Sequence, residues 1–162
     1  MSHLTTAQLI ALKAAILAET DPAFIAMRVA NNETGMAVWY NADALPAFVG
    51  WRTAVTIRDT GQAFNGAEWA GMASANHSRL QTVAQYLTSY NASLADVRAM
   101  FNDIWSGAGG IFTRASLLAL WKRSARRVEK LFATGVGTDA APALFFFEGT
   151  IDAQHISDAL RA

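Results

Sequence analysis

The sequence predicts an all-α fold, a compact bundle of about six or seven helices that ends in a strand and a short helix. Three observations lead to this prediction. Apolar residues make up 52% of the 162 residues, which is enough for one buried core. Most of them recur at the three- and four-residue spacing of a helix face. Only residues 144–147 read convincingly as a strand, so no internal partner for that strand is evident.

Helix starts are clearest in the first forty residues. Thr5 with Gln8 predicts a capping box, and Asp21 before Pro22 is typical of a second helix start. A third short helix is predicted near residues 36–40. The expected core positions of these helices are Leu9, Ile10, Leu12, Ile16, Leu17, Phe24, Ile25, Met27, Met36, Val38, Trp39 and Tyr40.

The middle of the chain is less regular. Residues 41–66 predict a loop with about one helical turn, in which Pro46 opens a short helix through Phe48 and Val49. Residues 66–90 return to helical spacing, with a break near residues 74–76.

The next helix has the most regular spacing in the chain. Ser93 with Asp96 predicts its capping box, and Gly107, Gly109 and Gly110 are expected to end it. The glycines lack a preceding strand and a following Gly-Lys-Ser/Thr, so they indicate a turn between helices and not a phosphate loop.

A long helix is predicted over residues 113–133, capped by Thr113. Its inward stripe is Leu117, Trp121, Ala125, Val128 and Phe132. Its opposite face is basic, with two rows at four-residue spacing, made of Lys122, Arg123, Arg126, Arg127 and Lys130. Three interpretations of this face stay open: a solvated surface, a site for an acidic protein, or a site for a phosphate backbone.

The remaining residues predict a hinge and an arm. The expected division is a helical body over residues 1–133, a hinge over 134–143 that contains Gly135 and Gly137, and a docking arm over 144–162. The contact residues expected in the arm are Leu144, Phe145, Phe146, Phe147, Glu148, Ile151 and Ile156. Asp152 is the expected N-cap of the short helix in the arm. The strand is apolar on both faces, so it is either core of the same domain or a strand that pairs with a neighbouring chain.

Composition and motifs do not favour an enzyme, a metal site or binding through overall charge. Thirteen basic residues balance thirteen acidic ones, so no overall field draws the chain to nucleic acid or membrane. There is no cysteine, and the histidines (His3, His77 and His155) lie far apart without a metal-binding spacing. No Gly-x-Ser-x-Gly motif or acid/base pair occurs, and Glu129 and Glu148 stand alone. No catalytic residue, metal or cofactor is predicted, nor is a signal peptide or a membrane span.

A resemblance begins at Val97. The run VRAMFNDIWSGAGG, the run RSARRVEKLFATGVGTDAAPA and the run FEGTIDAQHISDALR resemble a family of small proteins encoded among the head structural genes of tailed bacteriophages. The residues that match the family pattern are Trp105, Gly107, Arg127, Glu129, Lys130, Leu131, Ala133, Thr134, Gly135, Gly137, Asp139, Ala140, Pro142, Phe147, Glu148 and Gly149. The amino-terminal helix and Trp51 to Thr53 are similar too, whereas residues 66–92 depart from the pattern.

The resemblance implies a virion structural protein at the head–tail junction, assembled in the bacterial cytoplasm. A helical protein of this size resembles head–tail adaptors, which form rings, usually of twelve copies, beneath the portal. Expected partners are the chain itself, the portal protein, a tail or stopper protein and, through the basic face, packaged DNA. The alternatives are a capsid-associated or tail-completion protein, and a small nucleic-acid-binding protein.

Overall fold

The computed structural model describes residues 4–162, which are mostly helical. His3 lies outside the described residues. The helices are α1 Thr6–Ala18, α2 Pro22–Val29, α3 Glu33–Asn41, α4 Ile57–Gln62, α5 Gly66–Ala70, α6 Ser74–Tyr86, α7 Ala95–Ile104, α8 Ile111–Leu120, α9 Arg127–Leu131 and α10 Ala153–Arg161. The strands are β1 Val49–Trp51, β2 Val55–Thr56, β3 Ser89–Tyr90, β4 Lys122–Ser124, β5 Ala133–Thr134 and β6 Leu144–Phe145. The helical character is confirmed, but the fold is not a pure helix bundle, because short strands join the helices.

The chain divides into two compact units. Unit one contains the described residues up to Gly50 together with Ser124–Ala162, and unit two contains Trp51–Arg123. The predicted division into body, hinge and arm differs from this one. The carboxy-terminal residues share a unit with the amino-terminal helices and do not form a separate part.

The core of unit one lies where α10 packs against α1 and α3. The buried side chains Leu12, Ile16, Phe24 and Met36 come from the first three helices, and Ile156 comes from α10. Phe24 packs against the rings of Trp39 and Tyr40, with centroid distances of 5.6 Å to each. The carboxy-terminal helix therefore completes the core that the amino-terminal helices begin.

The predicted helix starts of unit one are confirmed. The Thr5 hydroxyl accepts from the Gln8 N–H, and the Gln8 side chain accepts from the Thr5 N–H, as a capping box requires. Asp21 caps α2, with Pro22 as its first residue. Ile10, Leu17 and Val38 were expected in the core and are exposed instead, because the buried stripes are narrower than the sequence pattern.

Unit two has its own core around aromatic residues. Phe101, Trp105 and Trp121 are buried together with Tyr90. The Tyr90 hydroxyl accepts from the Trp121 indole N–H at 2.9 Å and lies 2.8 Å from the Thr60 hydroxyl. This hydrogen-bonded group satisfies polar atoms that the core would otherwise leave without partners.

Three predictions in the middle of the chain are wrong in detail. Pro46 does not open a helix, because residues 49–51 form β1. No strand was predicted within residues 41–66, yet residues 55–56 form β2, which pairs antiparallel with β3 in the register Val55 with Tyr90. The helix after Ser93 exists as α7, but its N-cap is Leu94 and no side chain caps it.

The single long helix over residues 113–133 is also wrong. The chain forms α8, then β4, then α9. Backbone groups that a helix would use internally bond to distant segments in unit one: Ala125 N–H donates to the Phe48 carbonyl at 2.8 Å, and Arg127 N–H to the Ala42 carbonyl at 2.9 Å. The predicted inward residues Leu117, Trp121, Ala125, Val128 and Phe132 are all buried, although not on one helix.

The predicted Thr113 cap is replaced by Glu68. Thr113 lies within α8, and the Glu68 carboxylate accepts from the N–H groups of Phe112 at 2.9 Å and Thr113 at 2.8 Å. Desolvation opposes ionisation of this carboxyl, but these hydrogen bonds and the charge of Arg114 outweigh it and hold the pKa of Glu68 below its ordinary 4.5.

A lowered pKa in the folded state links stability to pH. The stabilisation is present above pH 4.5 and is lost as pH falls through the lower folded value. We expect Glu68→Gln to lower the thermal unfolding midpoint at pH 7 and to flatten its decline between about pH 5 and 3. Circular dichroism melts measure both effects. Asp96→Asn, an exposed acid in the same unit, is the control, and equal slopes for the wild type and Glu68→Gln would contradict this prediction.

Candidate interaction surfaces

The five basic residues do not share a helix face. Lys122 and Arg123 lie in β4, Arg126 precedes α9, and Arg127 and Lys130 lie on α9. All five are partly buried. The three that belong to unit one, Arg126, Arg127 and Lys130, contact other residues of that unit. Arg126 donates to the Gly149 carbonyl at 3.2 Å, and Lys130 donates a long hydrogen bond to the Leu45 carbonyl at 3.4 Å. The predicted basic row is wrong because the helix that would align it is broken at β4.

The predicted docking arm is largely docked on its own unit. Phe145, Phe147, Ile151 and Ile156 are buried, and Phe147 packs edge-on against Phe132 at 5.8 Å. The strand has an internal partner, since β6 pairs antiparallel with β5 in the register Ala133 with Phe145. The expectation that this strand lacks a partner is wrong, because the partner lies where the predicted helix ends and the predicted hinge begins.

Polar contacts fix the end of the chain as well. Asn41 holds Ile151 with two hydrogen bonds, donating to its carbonyl at 2.7 Å and accepting from its N–H at 2.9 Å. Asp152 caps α10 through the His155 N–H at 3.0 Å, as predicted. Lys13 donates to the carbonyl of Ala162 at 2.8 Å. These contacts hold the segment in place from its first turn to its last residue.

Glu129 is a structural carboxylate and is not isolated. Its side chain is 1% exposed. One oxygen accepts from the Arg126 N–H and the other from the Gly149 N–H, each at 2.9 Å. Gly149 has φ +130°, a conformation that an L side chain rarely adopts. The EKL and FEG motifs of the sequence therefore meet in space, because the glutamate of one fixes the turn of the other.

The predicted hinge is a hydrogen-bonded turn. Gly137 has φ +72°, and its carbonyl accepts from the Val49 N–H at 2.7 Å. A Cβ on Gly137 would overlap the Phe48 ring. Ala143 N–H donates to the Val49 carbonyl at 2.9 Å. Gly135 and Gly137 therefore supply the positive φ angles of the turn between β5 and β6, residues 135–143, and the bonds to Val49 hold that turn in place.

Two large apolar residues of the predicted arm and one of the predicted hinge face solvent. Leu144 is 42% exposed, Phe146 69% and Val136 71%. All three belong to residues 133–146, the hairpin formed by β5, its turn and β6. We call these three side chains the hairpin face. Leu144 and Phe146 point outward because they alternate with Phe145 and Phe147, which are buried. Glu148, the remaining residue of the predicted set, is half-buried.

Unit one also contains a cleft of about 560 Å³. Its wall carries two acidic, two basic and two aromatic residues: Glu19, Asp21, Arg127, Lys130, Trp39 and Tyr40. The Arg127 guanidinium lies over the Trp39 ring, 3.7 Å from its centroid. Burial, and secondarily the charge of Glu19, raise the pKa of Tyr40 well above its usual range, although Arg127 opposes the shift. The tyrosine hydroxyl is therefore protonated at neutral pH.

This cleft was not predicted from the sequence. Trp39 and Tyr40 were predicted only as core residues, and Arg127 and Lys130 only as parts of a basic helix face. The signal that would have linked them is Arg127 itself, since a cation in a partly buried segment calls for a carboxylate or an aromatic ring. Nothing in the sequence spacing indicates that this ring is Trp39, 88 positions earlier by residue number.

Among residues 4–162, no group of three or more His, Cys, Asp or Glu is placed to hold a metal ion. No helix within the same residues has the length and apolar character needed to cross a bilayer. Comparison of the chain with protein-family models, curated protein sequences and solved structures gives no significant match.

Proposed function

We propose that this protein is a virion structural protein of a tailed phage, a head–tail adaptor that assembles into a ring beneath the portal and docks through its hairpin face. The observation that carries the proposal is the exposure of Val136, Leu144 and Phe146 on one short hairpin. Leu144 and Phe146 alternate with buried residues and so lie on the same side of the chain, and apolar side chains exposed side by side are typical of protein–protein contact surfaces. The resemblance of residues 97–162 to proteins encoded among phage head genes suggests that this contact is made in the virion.

The buried part of the arm changes how docking takes place. Phe147, Ile151 and Ile156 already pack in unit one, so a partner contacts the hairpin without extracting the terminal helix. The turn is also fixed by its bonds to Val49, so the hairpin is a preformed surface. A preformed surface loses little conformational entropy on association, which favours assembly.

The nucleic-acid alternative has less support. The basic row that would follow a phosphate backbone does not exist as one face, and the chain has no net charge. The tail-completion alternative uses the same hairpin face, so only the position in the particle separates it from an adaptor. No specific geometric feature favours either alternative over the proposed function.

The variant Phe146→Asp tests the proposal. Phe146 is exposed, so the variant is expected to fold, while its carboxylate would be buried without a partner in the interface. We expect association with itself and with purified portal to weaken by at least about thirtyfold, as for an interface hot spot. Native mass spectrometry and cryo-microscopy of the complex measure it.

A matched control comes from the same unit. Val29 is also highly exposed, at the end of α2, and Val29→Asp is expected to leave assembly unchanged. A wild-type chain that stays monomeric with purified portal and is absent from virions would contradict the proposed function. Loss of assembly in both variants would contradict the assignment of the hairpin face.

A further inference from the structure

Unit two contains an apolar pocket that opens to solvent. Its volume is about 140 Å³. Leu80 and Phe101 are buried and form its inner wall, whereas Gly61, Gln81 and Ala84 are exposed and form its mouth. A group in solvent can therefore enter the pocket without a change of fold.

The lining offers almost no polar group to a ligand. No charged side chain of the described residues lines the pocket. The Thr60 hydroxyl is already engaged, since it donates to the Thr56 carbonyl at 2.9 Å and lies 2.8 Å from the Tyr90 hydroxyl. A sugar, a nucleobase or an ion would lose its hydrogen bonds to water here without replacement. The lining therefore selects an uncharged apolar group.

The size and the rings of the pocket select one phenyl group. A cavity of about 150 Å³ with apolar walls holds one benzene molecule, and this pocket has nearly that volume. Three aromatic side chains belong to the lining: Phe64, Trp69 and Phe101. Aromatic rings in contact favour edge-on or offset packing, which adds to the free energy of burial. A single phenyl ring satisfies both the volume and these walls.

The chain itself exposes one suitable ring. Among residues 4–162, the exposed Phe and Tyr side chains are Tyr86, Phe112 and Phe146. Tyr86 carries a hydroxyl that an apolar pocket would leave without a partner. The N–H of Phe112 donates to the Glu68 carboxylate, so burying that ring would also desolvate an ion. Phe146 has neither disadvantage, because its neighbours on the hairpin face are apolar.

Phe146 is presented on a fixed backbone. Its N–H donates to the Phe132 carbonyl at 3.2 Å, and its carbonyl accepts a long hydrogen bond from the Gln8 amide at 3.4 Å. Its side chain is nevertheless 69% exposed. The ring therefore projects to solvent from an ordered main chain and loses little conformational entropy on binding.

We propose that the unit-two pocket receives the Phe146 ring of a second copy of this chain. Such a contact joins two different surfaces, and contacts of this kind close into rings when the rotation between copies allows it. The inference rests on the proposed function, since it takes the ring to be the assembly in which the copies meet. It goes beyond that function by naming the surface that receives the hairpin face.

Ala84→Trp and Gly61→Leu test the pocket by adding bulk at its mouth. Both positions are exposed, and a Cβ on Gly61 meets no atom within 4 Å, so both variants are expected to fold. We expect each to weaken self-association by at least about thirtyfold, as loss of an interface hot spot does. Sedimentation velocity measures the association, and near-ultraviolet circular dichroism checks the fold. Ala75→Trp, exposed on the same helix but outside the pocket, should associate as the wild type does.

A mixture of two variants tests the pairing of ring with pocket. Phe146→Asp keeps the pocket and lacks the ring, whereas Ala84→Trp keeps the ring and lacks the pocket. We expect each variant alone to be monomeric. Their mixture should form a one-to-one complex that grows no further, because one ring and one pocket remain to pair. Native mass spectrometry detects this complex, and its absence from a mixture of folded variants would contradict the pairing.

Toluene probes the pocket alone, because it is the phenylalanine side chain without its main chain. We expect saturable shifts of the Leu80 and Val83 methyl resonances in ¹³C-edited NMR spectra, and no such shifts in Ala84→Trp. Saturating toluene should also weaken self-association of the wild type. Toluene that fills the pocket without weakening self-association would show that Phe146 is not the occupant.

Failure of this inference can be told apart from failure of the proposed function. If Ala84→Trp and Gly61→Leu assemble as the wild type does, the inference is wrong and the proposed function stands, because Phe146→Asp tests docking separately. If the copies associate through ring and pocket but bind no portal and are absent from virions, the contact stands and the proposed function fails. A wild-type chain that stays monomeric with and without portal would overturn both.

Discussion

Replacing Glu129 with alanine is expected to lower the free energy of unfolding by about 3–5 kcal/mol. The side chain is 1% exposed and bonds the N–H groups of Arg126 and Gly149. Its loss leaves two donors without partners and opens a cavity, and it frees the turn that leads to Ile151 and α10. Urea unfolding followed by tryptophan fluorescence measures the change.

Two controls separate the cause of this loss. Glu129→Gln retains one acceptor oxygen and should cost less than the alanine variant. Glu33→Ala removes a glutamate from the first turn of α3 and should change stability by no more than about 0.5 kcal/mol. A Glu129→Ala protein as stable as Glu33→Ala would show that the carboxylate does not hold the two motifs together.

The second large effect is expected at Gly110. A Cβ at this position would overlap the main-chain carbonyl of Trp105, which cannot move without displacing the end of α7. Arg114 donates a hydrogen bond to the same carbonyl, which helps to fix the position of this oxygen. We expect Gly110→Ala to destabilise unit two by at least about 3 kcal/mol, as severe overpacking does.

The adjacent glycine is the matched control. A Cβ on Gly109 meets no atom within 4 Å, so Gly109→Ala should be tolerated within about 0.5 kcal/mol. Thermal unfolding of the two variants under the same conditions measures the difference. Equal unfolding midpoints for Gly109→Ala and Gly110→Ala would contradict the close approach of Gly110 to Trp105.

The position of the carboxy-terminal segment bears directly on assembly. The sequence predicts an arm whose backbone forms its hydrogen bonds only with a neighbouring chain. The arm is not free in this way, because β6 pairs with β5 of the same unit and α10 contributes to the core. What the segment offers a partner is the hairpin face, whose side chains point outward between the buried ones. The proposal of docking therefore depends on three exposed residues and not on nineteen terminal ones.

Short-range sequence patterns predicted correctly those features that depend on neighbouring residues in the chain. The capping box of Thr5 and Gln8, the Asp21–Pro22 start and the Asp152 cap were all predicted, because each depends on residues within one helical turn. Burial was predicted correctly even where the predicted helix was wrong. The five residues from Leu117 to Phe132 are buried as expected, since apolar side chains leave water whichever backbone carries them.

The tertiary structure decided the rest. No glycine or proline interrupts residues 113–133, and their apolar residues recur at the spacing of a helix face. The break at β4 is stabilised instead by backbone bonds from Ala125 and Arg127 to segments some eighty positions earlier, which local spacing cannot indicate. The same break exposes Ala133 and Thr134 as a strand partner for β6 and brings Arg127 onto Trp39.

The sequence by itself thus determined helical character, helix starts and most of the core, because short-range hydrogen bonds and hydrophobicity govern them. Only the tertiary structure decided which residues meet: Glu129 with Gly149, Arg127 with Trp39, and the terminal helix with α1 and α3. Those meetings depend on long-range contacts whose geometry is set by the whole unit, and the candidate cleft and hairpin face are consequences of them.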